Sequence, residues 1–308
     1  MKLEHITESQ QFSLPMLREL FDRAREMERV VNRGGTQDYN RKIMASLFYE
    51  PSTRTRFSFE SAMHRLGGKV ISTENAALFS SASLGETLED TIRVVDDYAD
   101  VIVLRHTEIG GAKRASAVSS CPVINAGDGK GGQHPTQALL DLYTIHKEVR
   151  TLDGLKIAMV GNLADGRTVR SLTYLLSKFE RLKLYFVAPS SLQMKQDMLS
   201  HLAERNIWYT LGSSLQNVLP EIDVVYMTRI ERERFDGTEA EFSYLIEQYY
   251  FDKQAMQRLP SHAIVMHPLP RIGEIAPEVD QDRRAAYFRQ TQNGIVIRMA
   301  LLAWVLVE

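Results

Sequence analysis

The sequence predicts an α/β protein: two doubly wound parallel-sheet domains joined by long helices. Three observations carry that prediction. Short apolar runs such as Val101–Leu104 (VIVL) alternate with amphipathic stretches, as buried parallel strands alternate with crossover helices. The runs fall into two sets, one on either side of a long amphipathic stretch that follows His134. The chain has 308 residues, which suits two domains of roughly 150 residues each.

The elements follow in order. Ile43–Phe48 (IMASLF) reads as a buried strand that runs into a helix from about Arg54 to Leu66. Lys69–Ser72 is a second strand, Glu86–Tyr98 a helix, Val101–Leu104 a third strand and Pro122–Asn125 a fourth. The helix after His134 takes its apolar side from Ala138, Leu139, Leu140, Leu142, Tyr143 and Ile145, and bridges the two sets. The second set comprises strands at Ile157–Val160, Lys183–Val187, Asp223–Met227 and Ala263–Met266, with helices at Thr168–Lys178 and Gln193–Glu204. The apolar run Ile295–Val307 reads as a helix that docks back on the body. The expected domains are therefore residues 1–134 with 292–308, and residues 135–291. Arg229–Asp252 is rich in charge and aromatics with little period, and reads as a long loop, a kind of segment that often carries function.

Composition narrows the function classes. A single cysteine, Cys121, excludes an intrachain disulfide and cysteine-rich zinc sites. Against 39 acidic residues, 37 basic ones leave a net charge of −2, with no footprint for nucleic acid. No apolar run approaches the roughly 20 residues of a membrane span, and the N-terminus has no apolar core of a signal peptide. A cytoplasmic protein is expected. No G-x-G-x-x-G follows a strand, no Walker A lysine is present, and no nucleophile elbow suggests Ser-His-Asp hydrolysis.

Four segments suggest chemistry. Ser52-Thr53-Arg54-Thr55-Arg56 lies between a buried strand and a helix. A helix start offers free N–H groups and a positive dipole end, and hydroxyls with a forked guanidinium add donors for a phosphate. Ordinary N-capping by Ser52 or Thr53 is the simpler alternative, but it leaves two arginines in the first turn unexplained. His134 and Gln137, three apart at the next helix start, suit a small carbonyl or amide; taken alone, a satisfied surface histidine is the better account of the segment. Arg105, Arg167 and Arg229 each follow a strand, where open α/β sheets gather ligands. In Met266-His267-Pro268-Leu269-Pro270-Arg271 the prolines stiffen the chain and remove two donors, leaving the Leu269 and Pro270 carbonyls to accept from a ligand NH₂.

These segments together resemble the aspartate and ornithine carbamoyltransferases, nearly end to end. Phe48-Tyr-Glu-Pro-Ser-Thr-Arg-Thr-Arg-Phe57 is similar to the family's carbamoyl-phosphate motif. Asn125-Ala-Gly-Asp-Gly129 and Gln133-His-Pro-Thr-Gln137 are similar to its second motif. His267-Pro-Leu-Pro-Arg271 resembles the aspartate branch, where the ornithine branch carries a cysteine.

The resemblance implies that residues 1–134 with 292–308 bind carbamoyl phosphate and residues 135–291 bind the amino acid. Ser52, Thr53, Arg54 and Thr55 would hold the phosphate. Thr55, Arg105 and His134 would polarise the carbonyl. Gln137 with the Leu269 and Pro270 carbonyls would fix the amino group. Arg167 and Arg229 would take the carboxylates of L-aspartate. The implied reaction gives N-carbamoyl-L-aspartate and phosphate, a step of de novo pyrimidine biosynthesis, with neither metal nor cofactor. The implied assembly is a homotrimer with shared active sites, a loop at Ser80 reaching in from the neighbouring chain, and regulatory chains as further possible partners.

Two residues depart from the aspartate branch. Leu84 stands where that branch has a lysine before Gly-Glu-Thr, and Glu231 where it has a glutamine. One charge pair at about 5 Å and an effective dielectric near 20 is worth roughly 3 kcal/mol. The departures therefore admit two further readings: a carbamoyltransferase for another amine, or a non-catalytic homologue. Lys130, in the glycine-rich run before His134, is a candidate replacement for the lost charge.

Overall fold

The computed structural model describes residues 3–79, 81–212, 214–230, 232 and 237–307. It contains two compact units. The first comprises Met1–Leu140 with Gln292–Glu308, and the second Asp141–Thr291. Helix Pro135–Val149 carries the chain out of the first unit, and helix Tyr287–Val305 carries it back. Among the described residues no helix is long and apolar enough to cross a membrane.

The sheet of the first unit has four parallel strands: β1 (Ile43–Phe48), β2 (Lys69–Glu74), β3 (Val101–Arg105) and β4 (Val123–Asn125), in the order β2-β1-β3-β4. β1 and β3 are central and almost wholly buried, which is why they read as unbroken apolar runs. β2 lies at the edge and is largely exposed. Ala45, Leu47, Ile102, Leu104 and Val123 pack with Leu88 and Ile92 of helix Leu88–Asp96 in one apolar cluster.

The second unit holds five parallel strands: β5 (Lys156–Val160), β6 (Lys183–Val187), β7 (Trp208–Gly212), β8 (Val224–Met227) and β9 (Ile264–Met266). Their order is β7-β6-β5-β8-β9. Ala158, Val160, Val225, Met227 and Val265 form the centre of its core with Phe251 and Tyr287.

Each sheet reverses its direction of growth once. In the first, the chain adds β2 on one side of β1 and then β3 on the other; in the second, it adds β6 and β7 on one side of β5 and then β8 on the other. The crevices at the carboxyl ends of β1/β3 and β5/β8 are thus switch points, where open α/β sheets bind ligands.

The expected loop over Arg229–Asp252 needs correction. Within it, helix Glu239–Gln248 begins at a capping box formed by Thr238 and Glu241. None of its residues is buried, so no apolar period announces it. β7 and the helix Leu14–Asn32 are further elements beyond the sequence reading.

Candidate active site

The first unit places Ser52–Thr55 and Arg105 at the β1/β3 switch point. Phe48 is in register with Arg105, and the Tyr49 N–H donates to the Arg105 carbonyl at 2.9 Å. The chain then turns into helix Thr53–Arg65, with Ser52 at the N-cap. The Ser52 side chain makes no capping hydrogen bond, so capping does not account for this hydroxyl. Thr53 and Arg54 are exposed, while Thr55 is buried at 8% exposure. The two arginines of the first turn separate. Arg56 is committed within the fold, with Glu74 at 3.2 Å and Glu60 at 3.8 Å. Arg54 is exposed at the positive end of the helix.

Arg105 ends β3 and is largely buried. Its Nη2 lies 3.0 Å from a Glu50 carboxylate oxygen, a contact sequence reasoning missed. The pair follows from the β1–β3 register, which sets Phe48 opposite Arg105 and so brings Glu50, two residues past Phe48, to the end of β3.

His134 is buried at 4% exposure and is not the surface histidine that its sequence context allows. Its carbonyl accepts from the Gln137 and Ala138 N–H groups, both at 3.1 Å, which starts the helix Pro135–Val149. The loop before it is tied down by neighbours. The Gln133 side chain accepts from Ser9 N at 3.1 Å and donates to Gln10 Oε1 at 2.6 Å. Asp128 accepts from Gly110 N at 3.2 Å and Ala112 N at 3.3 Å. Gly129 admits no side chain, since a Cβ would stand 2.2 Å from the Thr107 carbonyl oxygen. Gln137 is half-buried, and Lys130 is exposed.

The second unit gathers its own set at the ends of β5, β8 and β9. Arg167 opens helix Arg167–Leu176 beyond β5, and Arg229 follows β8; both are half-buried. The two turns are laced together. Thr228 Oγ1 donates to the Val160 carbonyl at 2.8 Å, and Asn162 N donates to the Arg229 carbonyl at 3.3 Å. Gly161, at φ +114°, makes this approach possible, because a Cβ there would meet the Thr228 carbonyl oxygen at 2.4 Å. After β9 comes the loop 267–271, with Pro268, Leu269 and Pro270 half-buried. The Leu269–Pro270 peptide is cis, and Leu269 lies at φ +56°. A branched residue in that left-handed region costs roughly 1–2 kcal/mol, so its surroundings must hold it there.

Ser80 and Glu231 lie outside the described residues. Leu84, at 90% exposure, ends the short turn Ser81–Leu84.

Comparison with known proteins agrees along the whole chain. Residues 4–147 match the family model "Aspartate/ornithine carbamoyltransferase, carbamoyl-P binding domain", and residues 153–305 match "Aspartate/ornithine carbamoyltransferase, Asp/Orn binding domain". The chain is 52% identical over 313 residues to the chloroplastic aspartate carbamoyltransferase of Oryza sativa subsp. japonica, covering 100% of this chain and 86% of that one. It is 47% identical over 304 residues to the aspartate carbamoyltransferase catalytic subunit of Methanocella arvoryzae, covering 98% and 97%. Among solved structures it is similar to the catalytic subunit of M. jannaschii aspartate transcarbamoylase, with TM-score 0.91, 45% identity and 98% of each chain covered. It is also similar to the Trypanosoma cruzi aspartate transcarbamoylase in complex with carbamoyl phosphate and aspartate, with TM-score 0.91, 40% identity and coverage of 100% and 96%.

Proposed function

The chain belongs to the aspartate/ornithine carbamoyltransferase family, and from that premise we propose that it is an aspartate carbamoyltransferase. It transfers the carbamoyl group of carbamoyl phosphate to the amino group of L-aspartate, giving N-carbamoyl-L-aspartate and phosphate, a step of de novo pyrimidine biosynthesis. One observation carries the reading: the phosphate-suited helix start with Arg105 occupies the switch point of one sheet, and Arg167 with Arg229 occupies that of the other.

Each unit contributes its own part of the chemistry. In the first, Ser52, Thr53, Arg54 and Thr55 bind the phosphate through hydroxyls, a forked guanidinium and the helix N-terminus. Thr55, Arg105 and His134 polarise the carbamoyl carbonyl, and Gln137 accepts from or donates to the carbamoyl amide. In the second, Arg167 and Arg229 each take one carboxylate of aspartate, and the Leu269 and Pro270 carbonyls accept from the carbamoyl NH₂. The uncharged aspartate amine attacks the carbamoyl carbon, and an oxyanion forms on its oxygen. The C–O bond to phosphate then breaks, and the departing phosphate takes the proton that the amine loses. Orientation and oxyanion stabilisation supply the rate; one such donor is typically worth about 10²–10³ in kcat.

A homotrimer with shared active sites, with the Ser80–Leu84 loop supplied by a neighbouring chain, is part of the same proposal, as are a cytoplasmic location and regulatory chains as partners. A second reading, transfer to a different amine, is favoured by one observation: the position the aspartate branch fills with lysine is here an exposed leucine, Leu84. Phosphate release from carbamoyl phosphate that depends on L-aspartate tests the main reading directly.

A further inference from the structure

We propose that His267 is a positioning residue whose Nδ1 holds the Leu269 backbone, and with it the two carbonyls that accept the carbamoyl NH₂. This assignment rests on the carbamoyl-transfer reading given above.

The geometry is specific. The Leu269 N–H donates to His267 Nδ1 at 2.7 Å. An imidazole nitrogen that accepts carries no proton, so the ring proton sits on Nε2. Nε2 lies 2.6 Å from Glu274 Oε1 and donates to it. The other Glu274 oxygen accepts from Ile272 N at 2.8 Å. Both side chains are buried, at 1% and 7% exposure. Burial, the largest single influence, pushes the Glu274 carboxyl up, but the hydrogen bond and charge attraction from His267 together with the backbone N–H donors of Ile272 and Glu274 outweigh it and hold the group below the usual glutamic acid value. Glu274 therefore stays a carboxylate, and a carboxylate at Oε1 fixes which nitrogen of His267 is protonated.

The histidine is itself anchored. Its backbone N–H donates to Gln290 Oε1 at 3.0 Å. Gln290 Nε2 donates to Asp141 Oδ1 at 2.6 Å, and Tyr226 in β8 donates to Asp141 Oδ2 at 2.6 Å. At the far end of the loop, Arg271 pairs with Asp280, and Tyr287 donates to the same carboxylate. The loop is thus clamped at both ends, and the Nδ1 contact sets its middle, where Leu269 adopts φ +56°. That conformation orients the Leu269 and Pro270 carbonyls, and an accepting carbonyl must be oriented to distinguish a carbamoyl group from a bare phosphate.

The test compares the affinities of carbamoyl phosphate and inorganic phosphate for the full chain by calorimetry, in wild type and in His267→Ala, His267→Asn and His267→Gln. Asparagine places its Oδ1 where Nδ1 was and can accept from the N–H two residues on, whereas glutamine places its amide nearer the Nε2 position. Wild type should prefer carbamoyl phosphate. His267→Ala should weaken carbamoyl phosphate about tenfold and change phosphate by less than about twofold, and His267→Asn should restore most of the preference while His267→Gln does not. If His267→Ala does not fold, the contrast between asparagine and glutamine decides. Equal losses for both ligands, or asparagine no better than glutamine, would overturn the positioning role. A wild-type chain that binds the two ligands equally would overturn the carbamoyl-transfer reading, and the role of His267 with it.

Discussion

Arg105 sits in an ion pair with Glu50, its Nη2 3.0 Å from the carboxylate, at the carboxyl ends of β1 and β3. The guanidinium that would polarise the carbamoyl carbonyl is therefore held by an anion of its own unit. In the proposed reaction a substrate oxygen would compete with that carboxylate for the same N–H groups. Glu50→Gln should tighten inorganic phosphate and carbamoyl phosphate about two- to fivefold, within the range of a partly exposed pair. Calorimetry on the unliganded chain measures it. Weaker binding in the variant would mean that Glu50 orients Arg105 for the substrate instead of opposing it.

Arg54 is exposed at the helix start, and Arg56 beside it is half-buried and paired with Glu74. Arg54→Ala should cost carbamoyl phosphate roughly 10- to 100-fold in affinity, the scale of a lost charge-assisted hydrogen-bond pair. The thermal midpoint should stay within a few degrees, because an exposed side chain is removed. An unchanged affinity would remove the phosphate assignment.

Arg167 and Arg229 belong to the second unit, and the proposed reaction assigns them to the other substrate. Arg167→Ala or Arg229→Ala should raise KM for aspartate roughly 10- to 100-fold and leave carbamoyl phosphate binding unaltered. Steady-state kinetics with each substrate varied in turn separates the two effects. A rise in KM for carbamoyl phosphate alone would place the arginines wrongly.

The branch departures can be reversed together. Leu84→Lys with Glu231→Gln adds one cation and removes one anion, and should raise kcat/KM for aspartate. The gain should shrink as salt is added, since Leu84 is exposed and its replacement would be screened. Loss of an activity toward a different amine in this double variant would favour the second reading. No change with any amine would show that neither residue touches the substrate.

Most strands were legible because β1, β3, β5 and β8 are buried on both faces and so form unbroken apolar runs. β7 was not, because it is an edge strand with Trp208 and Leu211 exposed, and its composition does not mark a core. The helix Leu14–Asn32 did carry its signal. Ser13 accepts from Met16 N at its start, Pro15 lies in its first turn, and Leu17, Leu20, Phe21, Ala24 and Met27 repeat at helical spacing. The helix Glu239–Gln248 offered only its capping box, having no buried face.

The site divides in the same way. Strand ends and the turns and helix starts that follow them carry Ser52–Thr55, Arg105, Arg167 and Arg229, which spacing along the chain can suggest. The partners of those residues are set by tertiary register. Glu50 meets Arg105 across 55 residues of sequence because β1 and β3 are neighbours, and no local pattern encodes that. The His267–Glu274 pair is only seven residues apart, but its meaning depends on a ring nitrogen accepting from Leu269 N.

The measurement that tests the account most directly is product identity. The chain is supplied with carbamoyl phosphate carrying ¹³C in the carbamoyl group and a panel of amines, with L-aspartate and L-ornithine among them, and products are followed by NMR alongside phosphate release. The account predicts labelled N-carbamoyl-L-aspartate, one phosphate per product, and aspartate as the preferred acceptor. Phosphate release without a labelled amide, or a labelled product formed preferentially from another amine, would contradict it.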